Sequence, residues 1–372
     1  VADRTPRREA LERFILGFDG AGVPPDLAAL LGQGLAGVAI YPRNFASPAG
    51  LRALTDQIRA ASAAPVVIGI DQEGGTTFSL PPPFTAWPSP AELGRLGDAA
   101  LVERVARAIA VELRAVGVNT DFAPMLDLAV NPESPVTRGR SFGRAPGDVA
   151  RLGAAFLRGL AAEGVLGCAK HFPGHGDTTT DPHLDLPSFD GTMERLQREE
   201  LVPFAAAIAA NTPMIMTAHI LLPQIDATLP ASLSPAILEG ILRRELTFEG
   251  VLLADDLGMG ALAQRYGCGE SAVITLEAGT DIAMLCHNST AVPEAIRAVT
   301  AALGNGRFDP ARWAAGRRRI ATLRMRITET ERPSPPLDVI GSRPHRLLAD
   351  DVRCRLAEMD NQGLDRDRPR LD

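Results

Sequence analysis

Lysine is almost missing from this chain. Of 38 lysines and arginines in 372 residues, only Lys170 is a lysine. Cysteine is scarce as well, with four residues (Cys168, Cys268, Cys286 and Cys354) and no CxxC or other metal spacing. That excludes a disulfide-stapled scaffold and a zinc ribbon, and free buried thiols are expected instead. No apolar run approaches the roughly 18 residues a membrane-spanning helix needs, because each is broken by charge or proline. The charge balance has no basic excess: the net charge is −7, which gives no general attraction for nucleic acid or anionic membranes. Internal repeats and low-complexity tracts are missing too. The sequence opens at Val1 without a charged-then-apolar stretch, which fits a cytoplasmic protein or an exported one whose leader was removed or not included.

What the chain does contain is ample core material, 45% hydrophobic residues against 22% charged. Short apolar runs recur along it: Phe14 to Phe18, Gly37 to Tyr41, Val66 to Ile70, Val118 to Ala123, Leu166 to Phe172, Met214 to His219, Val251 to Asp256 and Asp281 to Leu285. Near-continuous apolar character suits parallel strands buried on both faces. Helical spacing of three and four lies between them, clearest in Ala99 to Val116, Pro146 to Gly164, Met193 to Ala210 and Pro235 to Leu246. Ser234 before Pro235, and Asp190 with Gly191 before Met193, read as helix starts. Strand then helix, eight times, predicts an α/β fold of the (β/α)8 barrel type, although a doubly wound sheet uses the same local pattern. The polar residues favour the barrel. Asp71, Asp121, Lys170 with His171, His219 and Asp255 all fall at C-terminal strand ends, which a barrel gathers at one mouth. The expected catalytic domain covers 1–330. Residues 331–372, opening on a Pro- and Ser-rich stretch, form a C-terminal extension: an arm, a docked segment or partly disordered chain. The arginine-rich stretch Arg312 to Arg326 carries Trp313, Ile320 and Leu323 on one side and reads as a helix with a solvated face.

Lys170 heads the run KHFPGHGDTTTDPH, which ends at His183 and holds three of the six histidines. Pro173, Gly174 and Gly176 forbid a regular helix there, so these residues belong to a strand end and a long loop. Three His and three Asp (Asp177, Asp181, Asp185) are enough ligands for a divalent ion, but a flexible loop argues against a rigid cage, and no metal is expected. Asp181-Pro182-His183 reads instead as an acid/base dyad, since a carboxylate accepting the second ring N–H fixes the imidazole tautomer and stabilises its protonated form. Such a dyad needs a nucleophile. Asp255 and Asp256 are the candidates, and adjacent residues on a strand face opposite ways, so one of them addresses the pocket.

These residues, with GVAIYPRN (37–44), IDQEGG (70–75), FAPMLDLAVNP (122–132), RSFG (140–143), MTAHI (216–220) and GVLLADDLGM (250–259) in the same order, make the chain resemble the family 3 glycoside hydrolases, in their β-N-acetylglucosaminidase branch. The resemblance runs from about Phe14 to Ile327. It implies a barrel, no cofactor, and a retaining mechanism through a covalent glycosyl-aspartate. Carried over by position, Asp255 is similar to the nucleophile, His183 to the acid/base and Asp181 to its partner. Asp71, Arg140, Lys170 and His171 match sugar-binding positions. His175 and Asp177 are expected to shape the loop, and His219 to line the pocket. Two departures stand out. Ser79 occupies the position where the branch carries an arginine, and Ala254 stands where Ser or Thr precedes the nucleophile.

The resemblance implies an exo-acting enzyme that removes terminal β-linked GlcNAc from glycans or muropeptides and acts as a monomer. Phosphorylase and β-glucosidase activities of the same family are the nearest alternatives. A non-catalytic sugar-binding protein is the alternative from another class.

Overall fold

The computed structural model describes residues 5–77 and 80–362; Ser79 lies outside them. Eight parallel strands close into a barrel: β1 (Phe14–Leu16), β2 (Gly37–Ala39), β3 (Val67–Ile70), β4 (Thr120–Asp121), β5 (Leu166–Phe172), β6 (Met214–Thr217), β7 (Val251–Asp256) and β8 (Ile282–Leu285). Each strand pairs with the next, and β8 returns to β1 through Ile15 opposite Met284. Alternation along the strands divides the core in two. Val67, Phe122, Cys168, Met214, Met216, Val251, Leu253 and Met284 fill the barrel interior. Their neighbours Ile68, Ile215, Leu252, Ala254 and Leu285 pack outward among the helices, as the two-residue period of a strand requires.

The helices follow the predicted spacing, with two differences. The segment from Met193 breaks into Met193–Arg198 and Leu201–Ala209. Pro203 has no N–H to donate to Glu199, and its ring would clash with that carbonyl. The first piece is capped by Thr192, whose side chain accepts the Arg195 N–H, rather than by Asp190. The helix from Ala236 to Glu245 is wound with a five-residue bond spacing, as in Leu246 N–H to the Ile241 carbonyl.

The extension forms a helix, Arg343–Asn361, that buries Ala349, Val352 and Leu356. The His345 ring and the Gly341 N–H both reach the buried carboxylate of Glu112. The Pro310–Glu329 helix buries Trp313, Ile320 and Leu323, but its arginine face is not simply solvated. Arg319 grips the buried carboxylate of Asp281 with two nitrogens, and Arg243 and Arg13 converge on the same aspartate. Of the cysteines, 168, 268 and 286 are buried, whereas Cys354 is exposed on the last helix. No described helix is long and apolar enough to cross a membrane.

Candidate active site at the C-terminal mouth

A cavity of about 260 Å³ opens at the C-terminal ends of the strands. Phe122, Met216 and Met284 form its apolar floor, and Asp71, Arg140, Lys170, His171, Asp181, His183 and Asp255 line it. The seven residues matched to catalytic and sugar-binding positions therefore meet in one place. Asp121 and His219 do not. The Asp121 carboxyl is buried outside the cavity and accepts the Gln72 N–H; burial pushes its pKa well up. His219 is buried between the Ser232 hydroxyl and the Asp256 carbonyl, and burial lowers its pKa. Neither faces solvent at the mouth, because each sits one step out of the inward-facing set of its strand.

The inner wall is an ion network. Lys170 Nζ lies 2.6 Å from Asp71 and 2.8 Å from Glu73. Glu73 is held by Arg140 through two bonds of 2.8 Å. Burial alone would raise the Glu73 carboxyl, but Arg140 and Lys170 hold it down to about 2. Burial works against the Lys170 ammonium, and Asp71 and Glu73 outweigh it, so the lysine is fixed in its charged form. A compact ammonium reaches this spot between two carboxylates, where a planar guanidinium would need a different geometry. The pairing of β5 with β6 slips between Ala169 and Phe172. That extra residue lets Lys170 and His171 both face the cavity.

Beside the network, Asp127 is fully buried and organises two histidines. It accepts His171 Nδ1–H at 2.8 Å and the backbone N–H of His175 at 2.7 Å. The His171 Nε2 is left to address the cavity. Burial would raise the Asp127 carboxyl, and the His171 ring with the His175 contacts brings it below the usual range. His175 is buried edge-on to His171, and burial lowers its pKa to about 3. This predicts acid sensitivity. Between pH 6.5 and 3 the unfolded chain protonates His175 while the native state does not, so stability falls as pH falls through that window. From pH 7 to pH 5 this single group removes about 2 kcal/mol. Urea unfolding of His175→Gln should show a correspondingly shallower loss over the same range, and an unchanged slope would remove the argument.

The strand parity that puts Val251 and Leu253 inside the barrel carries Asp255 to the cavity. Its Oδ1 accepts the Asp256 N–H at 2.8 Å. Burial pushes its pKa up, but His171, His219 and that N–H carry it below the ordinary carboxylate value, so it is ionised at neutral pH. Asp256 is occupied otherwise. Its two oxygens take the Cys286 N–H, the Gly258 N–H and His287 Nδ1. Ala254 faces the helix layer, so a hydroxyl there would not reach a sugar. The third element is the 177–185 loop. Asp177 ties it to Arg195, and His183 Nδ1 lies 2.9 Å from Asp181 with the ring exposed toward the cavity. Among the described residues no three His, Cys, Asp or Glu side chains gather to hold a metal.

Glu73, Asp127, Tyr41 and His287 were not singled out from the sequence. Glu73 lies beyond the end of β3, two residues after Asp71, and both carboxylates reach Lys170. Asp127 had no local signal, because its partners come from another strand. His287 packs on the Tyr41 ring at 4.7 Å, and Tyr41 also carries the Arg43 guanidinium on its face. A second cavity, of about 440 Å³, lies at the opposite end of the barrel. Its arginines 52, 59, 114 and 332 bond backbone carbonyls of Ala115, Gly117, Pro333 and Ala162, a structural duty.

A parallel eight-stranded barrel with an ionised carboxylate and an ion-paired sugar-sized cavity at its mouth has the architecture of a glycoside hydrolase. The Glycosyl hydrolase family 3 N terminal domain matches residues 26–323, and the chain belongs to that family. It is 38% identical over 272 residues to the beta-hexosaminidase of Neisseria meningitidis serogroup C, covering 71% of this chain and 75% of the relative. A family 3 β-N-acetylglucosaminidase from Paenibacillus sp. str. FPU-7 superposes with a TM-score of 0.90 at 36% identity, over 94% of this chain and 68% of that one. NagZ from Neisseria gonorrhoeae, solved with N-trifluoroacetyl-D-glucosamine, gives 0.76 at 30%, over 93% and 97%.

Proposed function

We propose that the protein is a retaining exo-β-N-acetylglucosaminidase that removes terminal β-linked GlcNAc from cell-wall fragments. The observation that carries this reading is the meeting of Asp255, the Lys170–Asp71 pair and the His183–Asp181 dyad around one cavity with room for about a single sugar. In the first step an Asp255 oxygen bonds to the anomeric carbon, the glycosidic C–O bond breaks, and His183 gives its proton to the departing oxygen. Asp181 holds the Nδ1–H and stabilises the charged ring before transfer. In the second step neutral His183 takes a proton from water, the water oxygen bonds to the anomeric carbon, and Asp255 leaves as a carboxylate. Asp71, Lys170 and Arg140 bind sugar hydroxyls through charge-assisted hydrogen bonds, and His171 bonds the sugar through Nε2.

The decisive assay compares aryl β-GlcNAc with aryl β-glucoside in phosphate buffer and identifies the product. A preference for GlcNAc on the order of 100-fold, with free GlcNAc released, is expected. Preference for the glucoside would make the protein a β-glucosidase, and GlcNAc 1-phosphate would make it a phosphorylase. Binding without turnover would leave a sugar-binding protein.

A further inference from the structure

We propose that Gly260, Gln264 and Arg265, on the segment that follows the Asp255 strand, form the seat that positions His183, and that Gly260 is glycine because the loop backbone occupies its side-chain space. This rests on His183 acting as the acid/base. The His183 ring is exposed, and Asp181 is the side chain that holds it, so its placement depends on the loop backbone. Four contacts hold the loop from one side, three of them to its backbone carbonyls and one to the Asp185 side chain. The Gly260 N–H reaches the His183 carbonyl at 3.3 Å and the Ala261 N–H reaches the Pro182 carbonyl at 3.1 Å. Gln264 Nε2 donates to the Leu184 carbonyl at 3.1 Å, and Arg265 Nη1 to Asp185 at 2.9 Å. A methyl group on Gly260 would stand 2.5 Å from the His183 oxygen and 3.0 Å from that of Leu184. Both are backbone atoms, so relief requires the loop to move away. The consequence is geometric: the strand carrying the nucleophile continues, within five residues, into the surface on which the acid/base loop rests. The two reacting groups, seventy-two positions apart, are thereby set against one another by a single short segment.

These are positioning residues, and their effect must pass through His183. A displacement of about 1 Å can lower a rate by roughly 100-fold. Gly260→Ala should lose about 10- to 100-fold in kcat/KM on alkyl β-GlcNAc, whose leaving group needs a proton, and about 3-fold or less on 2,4-dinitrophenyl β-GlcNAc, whose leaving group does not. Added azide should restore turnover of its glycosyl-enzyme, as it should for His183→Ala. The double variant should be no worse than His183→Ala alone, since a seat has nothing left to position. Gln264→Ala with Arg265→Ala, which leaves the crowded backbone contact untouched, should give the same substrate split with a smaller loss and serves if Gly260→Ala does not fold. Equal losses on both substrates, or losses that multiply with His183→Ala, would overturn the seat. If His183→Ala itself shows no difference between the two leaving groups, the acid/base reading fails instead, and the seat with it.

Discussion

Asp255→Ala should lower kcat for aryl β-GlcNAc by about 10⁵-fold, with the loss nearly independent of the leaving group. The size follows from removing a nucleophile that splits one difficult displacement into two, where losses near 10⁶ have been the measure for a comparable residue. Independence of the leaving group separates this residue from His183, whose removal matters most when the departing oxygen needs a proton. The structure makes the choice of Asp255 over Asp256 a matter of occupancy. Asp256 already accepts two N–H groups and a histidine, while Asp255 takes one N–H and faces the cavity in ionised form. The native enzyme treated with a 2-fluoro glycosyl donor should gain one sugar mass on the peptide carrying Asp255. In Asp255→Ala, azide should attack the anomeric carbon directly as the aryl oxide departs, giving the α-glycosyl azide. A label on Asp256, or a β-azide from the variant, would count decisively against the assignment.

Glu73→Ala should destabilise the fold by about 3–5 kcal/mol, the range for removing one partner of a buried ion pair. The substitution takes away the carboxylate that Arg140 grips with two nitrogens and that also faces Lys170. Arg140 and Lys170 would then lose the carboxylate they share, and the inner wall of the sugar cavity would lose its order. KM for the sugar should rise along with the loss of stability, because Arg140 and Lys170 are held in place by this group. The pH dependence has a definite sign. The Glu73 pKa is depressed to about 2 in the folded state, so its contribution is full above the ordinary glutamate value near 4.3 and fades as pH falls toward about 2. The gap between native protein and variant in urea unfolding should therefore be widest near neutrality and narrow in acid. A change under about 1 kcal/mol at pH 7 would mean the network is solvated rather than buried.

Much of the site was legible because strands advertise their faces. Lys170 stood out by composition, strand parity said that only one of Asp255 and Asp256 could address the pocket, and the family resemblance picked Asp255. Position near a C-terminal strand end misplaced Asp121 and His219, whose side chains are buried against the Gln72 N–H and between Ser232 and Asp256 rather than at the mouth. Asp127 escaped notice because nothing local distinguishes it: its function is to receive a ring and an N–H delivered by a different strand. The break before Leu201 was written in Pro203, whose missing donor interrupts an otherwise helical run.

The sequence by itself determined the eight strands, their alternation with helices, the family, and the residue types able to do glycosidic chemistry, because periods of two and of about 3.6 are local properties of the chain. Tertiary structure alone decided which carboxylate is ionised and open, which is consumed in holding β8, how Glu73 sits between Arg140 and Lys170, and where the His183 loop comes to rest. Those outcomes depend on closure of the ring, which brings β3, β5 and β7 to a common mouth and sets each charge by neighbours far away in sequence.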